Sequence, residues 1–190
     1  MPRVFALLFF GCLALVFPAG AAAETSPSTT GGVQFEEPAP VVAPGSKATL
    51  LPDGTAAAPA DAPPQVQAAI FAANKLLDKP YKYGGGHAKV EDSGYDCSGT
   101  VSYALLAAKL LKSPLDSSSF LRWGLKGKGS WITVYTNPGH AFAVIAGLRP
   151  DTSTGGITSR KIARTAERGP RWRVALRSAR GFTKRHPAGF

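Results

Sequence analysis

The sequence predicts an α+β domain in which N-terminal helices pack on a small antiparallel β-sheet. Apolar residues recur at three- and four-residue intervals in two stretches of the first half of this domain, residues 66–77 and 101–111, a pattern typical of amphipathic helices. In the second half, two β-branched and aromatic runs flank an Asn-Pro-Gly turn, and a third alternating run follows. Helices followed by strands indicate a mixed fold with the helices on one side of the sheet.

Residues 1–23 have the three parts of a secretory signal peptide: a basic start, an apolar run to Pro18, and small residues before a cleavage position at Ala23. We therefore expect a secreted protein. The alternatives are an uncleaved membrane anchor or lipidation at Cys12; the Ala-rich end favours cleavage. Residues 24–62 are rich in Pro, Ala, Gly, Ser and Thr without a sustained period, which predicts a flexible linker.

The folded domain is predicted to span residues 63–190. Its first helix begins near Pro63, because proline suits a first helical turn, and Pro80 ends it. The second helix begins at Cys97 with Asp96 as N-cap, so the thiol lies in the first turn. The partial positive charge of that turn favours a thiolate, whereas the Asp96 carboxylate opposes it. A base is therefore needed.

Signal-peptide cleavage would leave Cys97 as the single cysteine. Such a thiol in an exported protein cannot form an internal disulfide and is a candidate reactive group. The alternative is a small buried apolar residue. Its Asp, Ser and Gly neighbours are typical of a turn, so we predict that Cys97 is a nucleophile.

The second half is predicted to form a loop over residues 117–130, a strand over 131–135 and a second strand over 140–146. The run over 171–176 predicts a last strand, and residues 154–168 are polar. Three aromatic or apolar residues of the predicted loop are expected to pack against the core: Phe120, Leu121 and Trp123.

A thiol hydrolase needs a base near its nucleophile and a group that orients the base. His140 opens the second strand and is the favoured base, with His87 and His186 as alternatives in Gly- and Pro-rich loops. Asp151 would lie near His140 if the chain reverses between them. It then orients the imidazole; the alternative is a turn aspartate.

Two further features concern substrate binding and metals. The backbone N–H groups of Cys97 and Ser98, at a helix start, are candidate oxyanion donors. The three His are scattered and the thiol stands alone, so we expect no metal site and no cofactor.

Positive charge is concentrated in a basic C-terminal extension, residues 156–190. This segment holds 10 Lys and Arg against Glu167, whereas residues 24–155 balance 11 Lys and Arg with 11 Asp and Glu. Outside a cell, such a surface attracts anionic polymers or lipid head groups; a solvated surface is the alternative. Export argues against nucleic acid as a partner.

Three ordered segments resemble the NlpC-type cysteine peptidases of bacterial cell walls. Residues 80–85 (Pro-Tyr-Lys-Tyr-Gly-Gly), 95–99 (Tyr-Asp-Cys-Ser-Gly) and 139–140 (Gly-His) are similar to the family's Pro-Tyr-x-aromatic-Gly-Gly, Asp-Cys-Ser-Gly and Ser/Gly-His segments. The resemblance extends over about residues 65–153, roughly half of the chain.

The resemblance implies a papain-like fold and hydrolysis of peptide bonds in peptidoglycan stem peptides. It implies Cys97 as nucleophile, His140 as base and Tyr81 as a hydrogen-bonding partner near the thiol. The family's third residue is usually His, Asn or Gln, so Asp151 is a departure. Residues 128–131 (Lys-Gly-Ser-Trp) also replace the family's Pro-Gly-Asp-Leu. Both departures flank the cleft, so bond specificity is not carried over.

The leading hypothesis is therefore a monomeric, cell-wall-associated peptidoglycan endopeptidase, with anionic wall polymers as possible partners of the basic extension. An N-acetylmuramoyl-L-alanine amidase would use the same site. A non-catalytic wall-binding module is the alternative from another class; the intact pair of Cys97 and His140 favours an enzyme.

Overall fold

The computed structural model describes residues 40–153, 169–174 and 177–190. It contains both helices and antiparallel sheets, so the predicted α+β class is confirmed. The predicted signal peptide lies outside the described residues, as do residues 24–39 of the predicted linker and the polar segment 154–168. Within the described ranges, no helix combines the length and the hydropathy needed to cross a bilayer.

Twelve short elements make up the described part of the chain. In chain order they are β1 (Val42–Ala43), β2 (Thr49–Leu50), β3 (Ala56–Pro59), α1 (Pro64–Asn74), α2 (Cys97–Ala107), α3 (Ser117–Phe120), β4 (Leu125–Lys126), β5 (Ile132–Asn137), β6 (His140–Ile145), β7 (Arg149–Asp151), β8 (Arg171–Arg173) and β9 (Thr183–His186).

Helix α2 is the central element, packed between α1 and β6. Its first nine residues, 97–105, are all buried. Burial of its small polar side chains is possible because they are hydrogen-bonded: Thr100 Oγ1 donates to the Asp96 carbonyl at 2.8 Å, and Ser102 Oγ donates to the Leu115 carbonyl at 3.1 Å. The helix that carries the predicted nucleophile is thus held on both sides.

The main sheet has four antiparallel strands in the order β4-β9-β5-β6. Strands β5 and β6 form the predicted hairpin, and alternation sends one set of side chains into the core and the other to the opposite face. The core set consists of Ile132, Val134, Ala141, Ala143 and Ile145. The opposite face carries Tyr135, Phe142 and, at the strand start, His140.

The structure differs from the predicted linker in residues 42–59. This segment forms a three-stranded sheet of order β1-β3-β2. Strand β3 is buried because its alanines allow close approach to α1, where the Asn74 side-chain amide exchanges two hydrogen bonds of 2.9 Å with the Ala56 backbone. The alanine-rich composition of residues 56–59 therefore reflects close packing against α1. The folded domain begins before Pro63.

The basic extension also differs from a separable tail, because its described residues supply two strands. Strand β8 pairs with β7, and β9 lies between β4 and β5. Of the predicted strand over 171–176, Arg171–Arg173 form β8, and residues 175–176 lie outside the described residues. Trp172 is buried, and its indole donates to Asn74 Oδ1 at 2.7 Å. Strand β9 was not predicted because its Thr-Lys-Arg-His sequence has no apolar period.

We predict that Trp172→Ala lowers the free energy of unfolding by about 3–5 kcal/mol, because it removes a large buried side chain and leaves a cavity. Denaturant titration followed by circular dichroism would measure the loss. Val174→Ala, two residues away at a 65% exposed position, is the matched control and should change stability by less than about 0.5 kcal/mol. Equal stability of the Trp172 variant and the wild type would contradict the integrated extension.

Candidate active site

Cys97 lies at the N-terminus of α2, in the position predicted for a nucleophile. The N-cap prediction is confirmed, since Asp96 Oδ1 accepts the Gly99 amide at 2.7 Å. The Gly84 amide donates to Asp96 Oδ2 at 3.0 Å, which ties the glycine-rich segment 84–86 to the helix start. A Cβ on Gly99 would clash with the Gly85 carbonyl, so the close approach of the two segments requires glycine.

His140 is positioned by the hairpin turn that precedes it. Asn137 Oδ1 accepts the amides of Gly139 and His140, each at 2.9 Å, so the turn and the start of β6 are fixed together. The imidazole lies close enough to the Cys97 thiol for each group to shift the pKa of the other, and the Ala141 backbone amide also lowers the pKa of the thiol. The predicted nucleophile and base are thus in contact.

Asp151 reaches His140 because the chain reverses directly after β6. Ala146 and Gly147 both have positive φ, 47° and 91°, and Leu148 pairs back on Ile145. Asp151 then closes β7, where its Oδ1 lies 2.9 Å from His140 Nε2. The predicted juxtaposition of Asp151 and His140 therefore occurs, with the carboxylate almost fully buried.

The pKa values of the three groups favour a charged arrangement. Burial raises the pKa of Cys97, but the hydrogen bond and positive charge of His140 lower it below its ordinary value. Burial lowers the pKa of His140, yet Asp151 and Cys97 raise it to about 9. Burial also raises the pKa of Asp151, but the hydrogen bond and charge of His140, the Ser153 amide and the Arg149 charge together lower it below its ordinary value. The directions of these shifts favour the pair of thiolate and imidazolium over the neutral pair of thiol and imidazole.

The ring nitrogens of His140 have separate partners. Because Nε2 lies beside Asp151, Nδ1 is the ring nitrogen that remains to interact with Cys97. A proton on Nδ1 therefore points at the thiol, and the carboxylate fixes the plane of the ring. This is the relay of nucleophile, base and orienting group that acyl transfer requires.

The two alternative bases have other partners. His87 Nε2 lies 3.0 Å from Asp96 Oδ1 and 3.3 Å from Ser98 Oγ, so this imidazole contacts the N-cap residue of α2. His186, on β9, has its Nδ1 3.2 Å from the Gly127 carbonyl. Contact with Cys97 therefore favours His140 as the base.

A cleft of about 590 Å³ opens above Cys97. Tyr81 and Ser98, the two predicted substrate-binding residues, line it on one side, and α3 lines it on the other. Ser98 Oγ donates to Asp96 at 3.2 Å. The backbone N–H groups of Cys97 and Ser98 lie in the first turn of α2, where amides have no intrahelical acceptor, and they remain the candidate oxyanion donors.

Sequence reasoning missed the residues that surround Asp151 and His140. Arg149 Nε and Arg177 Nη1 lie 3.5 Å and 3.4 Å from Asp151 Oδ2. The Phe182 ring lies edge-on to the His140 ring at 6.3 Å. Ser117 Oγ, on α3, lies 3.7 Å from the thiol. Only the excess of Arg in the last 35 residues signalled a role for Arg177, since its contact with Asp151 is long-range.

The described residues offer no group of three or more His, Cys, Asp or Glu that could hold a metal ion.

We predict that iodoacetamide alkylates Cys97 with a pH midpoint below the ordinary thiol pKa of about 8.5, because His140 stabilises the thiolate. His140→Ala should raise this midpoint by about one to three pH units, since burial then raises the pKa of the thiol with less opposition. Asp151→Asn should produce a smaller rise, because the imidazole loses the carboxylate that keeps it charged. Stopped alkylation followed by mass spectrometry measures the rate at each pH.

His186→Ala is the matched control for the loss of an imidazole and should leave the midpoint unchanged. Circular dichroism at each pH verifies that the variants remain folded. A His140→Ala midpoint equal to that of the wild type would exclude His140 as the partner of the thiol.

Comparisons with known proteins do not add to this site. A search against protein-family models finds no match to the chain, and a search of curated proteins finds no significant similarity. The resemblance to NlpC-type peptidases therefore depends on the three short segments and on the geometry that their residues form.

Proposed function

We propose that the protein is an exported cysteine peptidase of the papain-like NlpC type that cleaves peptide bonds in peptidoglycan stem peptides. The observation that carries this proposal is a thiol that lines an open cleft, Cys97, with the hydrogen-bonded pair of His140 and Asp151 behind it. A structural cysteine has no need of a buried imidazole–carboxylate pair, because burying those charges is costly.

The proposed reaction has two steps. The Cys97 thiolate attacks the carbonyl carbon, and the N–H groups of Cys97 and Ser98 stabilise the oxyanion. His140 donates its proton to the leaving amine nitrogen, the C–N bond breaks, and a thioester remains on Cys97. His140 then removes a proton from water, which attacks the thioester and releases the carboxylic acid and the thiolate. Asp151 keeps the imidazole oriented in both steps.

The arrangement of elements supports the papain-like part of the proposal. The nucleophile begins a buried helix, the base begins a strand of an antiparallel sheet packed on that helix, and the orienting residue follows on the next strand. The resemblance of residues 80–85, 95–99 and 139–140 to the peptidase family supports the substrate class. In this proposal the protein is secreted, acts as a monomer and associates with the cell wall through its basic surface.

The cleft also fits a peptide in extended form. It is open to solvent along one side and lined by Tyr81, Tyr83 and the α3 segment. Tyr83 is 90% exposed, and an aromatic side chain at the cleft edge provides apolar surface for a substrate side chain or sugar ring. Such a site accepts a branched polymer substrate without enclosing it.

We predict that the protein without residues 1–23 releases fragments from purified peptidoglycan and that Cys97→Ala abolishes release, because the attacking atom is lost. The thermal unfolding midpoint should change little, since alanine nearly fills the place of the thiol. Mass spectrometry of the soluble fragments identifies the bond that is cut. New amine ends within stem peptides support the endopeptidase.

Free intact stem peptides would instead identify an amidase that acts at the sugar–peptide junction. Protein that pellets with the wall and releases nothing would identify a binding module. Val174→Ala, an exposed substitution far along the chain from Cys97, is the control and should retain full activity. Release by the Cys97→Ala variant would refute the thiol mechanism.

A further inference from the structure

A second cavity, separate from the catalytic cleft, lies on the face of the main sheet that points away from α2. Its volume is about 200 Å³. Three cationic side chains line it: Lys128, Arg177 and Lys184. Its floor is formed by Tyr135 and Phe142, whose rings stack in parallel at 4.8 Å. We call this the basic pocket.

Strand pairing brings the members of the basic pocket together. Lys184 on β9 is opposite Tyr135 on β5, which in turn is opposite Phe142 on β6, so the three side chains form one row across the sheet. The Gly127 amide donates to the Lys184 carbonyl at 3.0 Å and holds the neighbouring Lys128 beside that row. The backbone positions of the two lysines are therefore held close together.

Arg177 closes the pocket from the C-terminal segment. Its guanidinium carbon lies 5.2 Å from the centre of the Phe142 ring and 5.3 Å from that of Phe182, distances at which a cation is attracted to an aromatic face. The guanidinium is planar and is pre-organised by these rings, which reduces the entropy lost when it binds an anion.

Positive charge in the basic pocket exceeds the negative charge nearby. Among the residues that the structure describes, no carboxylate forms an ion pair with Lys128 or Lys184. Asp151 pairs with Arg177, but the same carboxylate also pairs with His140 and Arg149. The segment 156–190 contains a single acidic residue, Glu167.

We propose that the basic pocket is a binding site for a phosphate group. Three cations around one small cavity suit a dianion better than a singly charged carboxylate, and the Arg177 fork matches two phosphate oxygens. The cavity is smaller than the roughly 300–1,000 Å³ of sites that enclose whole ligands, so it holds one charged group and leaves the remainder of a phosphate ester in solvent.

Occupation of the basic pocket would be transmitted to the candidate active site. Arg177 lines the basic pocket. Its Nη1 also lies 3.4 Å from Asp151 Oδ2. A phosphate that draws Arg177 toward Lys184 weakens its contact with Asp151, whose other oxygen holds His140. The phosphate site and the catalytic residues thus share one side chain. The proposal itself concerns binding and does not depend on the proposed hydrolysis.

Isothermal titration of the wild-type protein with inorganic phosphate, at constant ionic strength maintained with chloride, tests the site. We expect saturable binding with one phosphate per chain. The double variant Lys128→Gln/Lys184→Gln should weaken binding at least tenfold. Lys112→Gln, which removes an exposed lysine outside the pocket, is the matched control and should alter the dissociation constant less than twofold.

Titrations with two other ligands distinguish the source of the phosphate. Glycerol 3-phosphate that binds as tightly as inorganic phosphate supports a site for phosphate esters, such as those of anionic wall polymers. Binding of inorganic phosphate alone supports a site for the free ion. Acetate that binds as tightly as phosphate would overturn the proposal, as would the absence of saturation.

Amide chemical shifts provide a second readout that does not depend on folding of the variants. Phosphate added to the wild type should shift the resonances of Lys184 and Phe142 with one common dissociation constant, and those of α1 should not move. Shifts spread evenly over the surface, or a double variant that binds like the wild type, would refute the basic pocket as the site.

Discussion

The hydrogen bond between the buried Asp151 carboxylate and the His140 imidazole, 2.9 Å long, is the interaction on which the candidate site depends. Burial disfavours charge on both groups, and their contact offsets part of that cost. The imidazolium in turn lowers the pKa of the Cys97 thiol. Loss of this one contact would therefore lower the pKa of His140 and raise that of the thiol.

Local hydrogen bonds and turns around helix α2 bring His140 and Asp151 together. Helix α2 is buried on both sides and fixes Cys97, and the N-cap Asp96 with its glycine-rich neighbour fixes the first turn. Asn137 fixes the start of β6. The tight reversal at Ala146 and Gly147 returns the chain so that Asp151 falls beside His140. The Asp96 cap, the Asn137 turn and the reversal at Ala146 and Gly147 each join residues that are near in sequence.

The C-terminal segment completes the site from a distance in sequence. Phe182 lies against the His140 ring, and Arg177 lies between the aromatic rings and Asp151. Because β9 is hydrogen-bonded between β4 and β5, these residues are anchored to the sheet. The charge excess of this segment is therefore part of the domain's architecture. It links the candidate catalytic residues to the proposed phosphate site.

Local patterns in the sequence were sufficient to predict both long helices, the β5–β6 hairpin, the N-cap and the candidate residues Cys97, His140 and Asp151. Helical periodicity, capping and turn chemistry act between residues near in sequence, so they can be read without the fold. The strands of residues 42–59, strand β9 and the contacts of Arg177 and Phe182 required the tertiary structure. Alanine-rich and polar strands have no apolar period, and their pairing depends on backbone hydrogen bonds that any sequence can form. Which distant segments meet is decided by packing around α2.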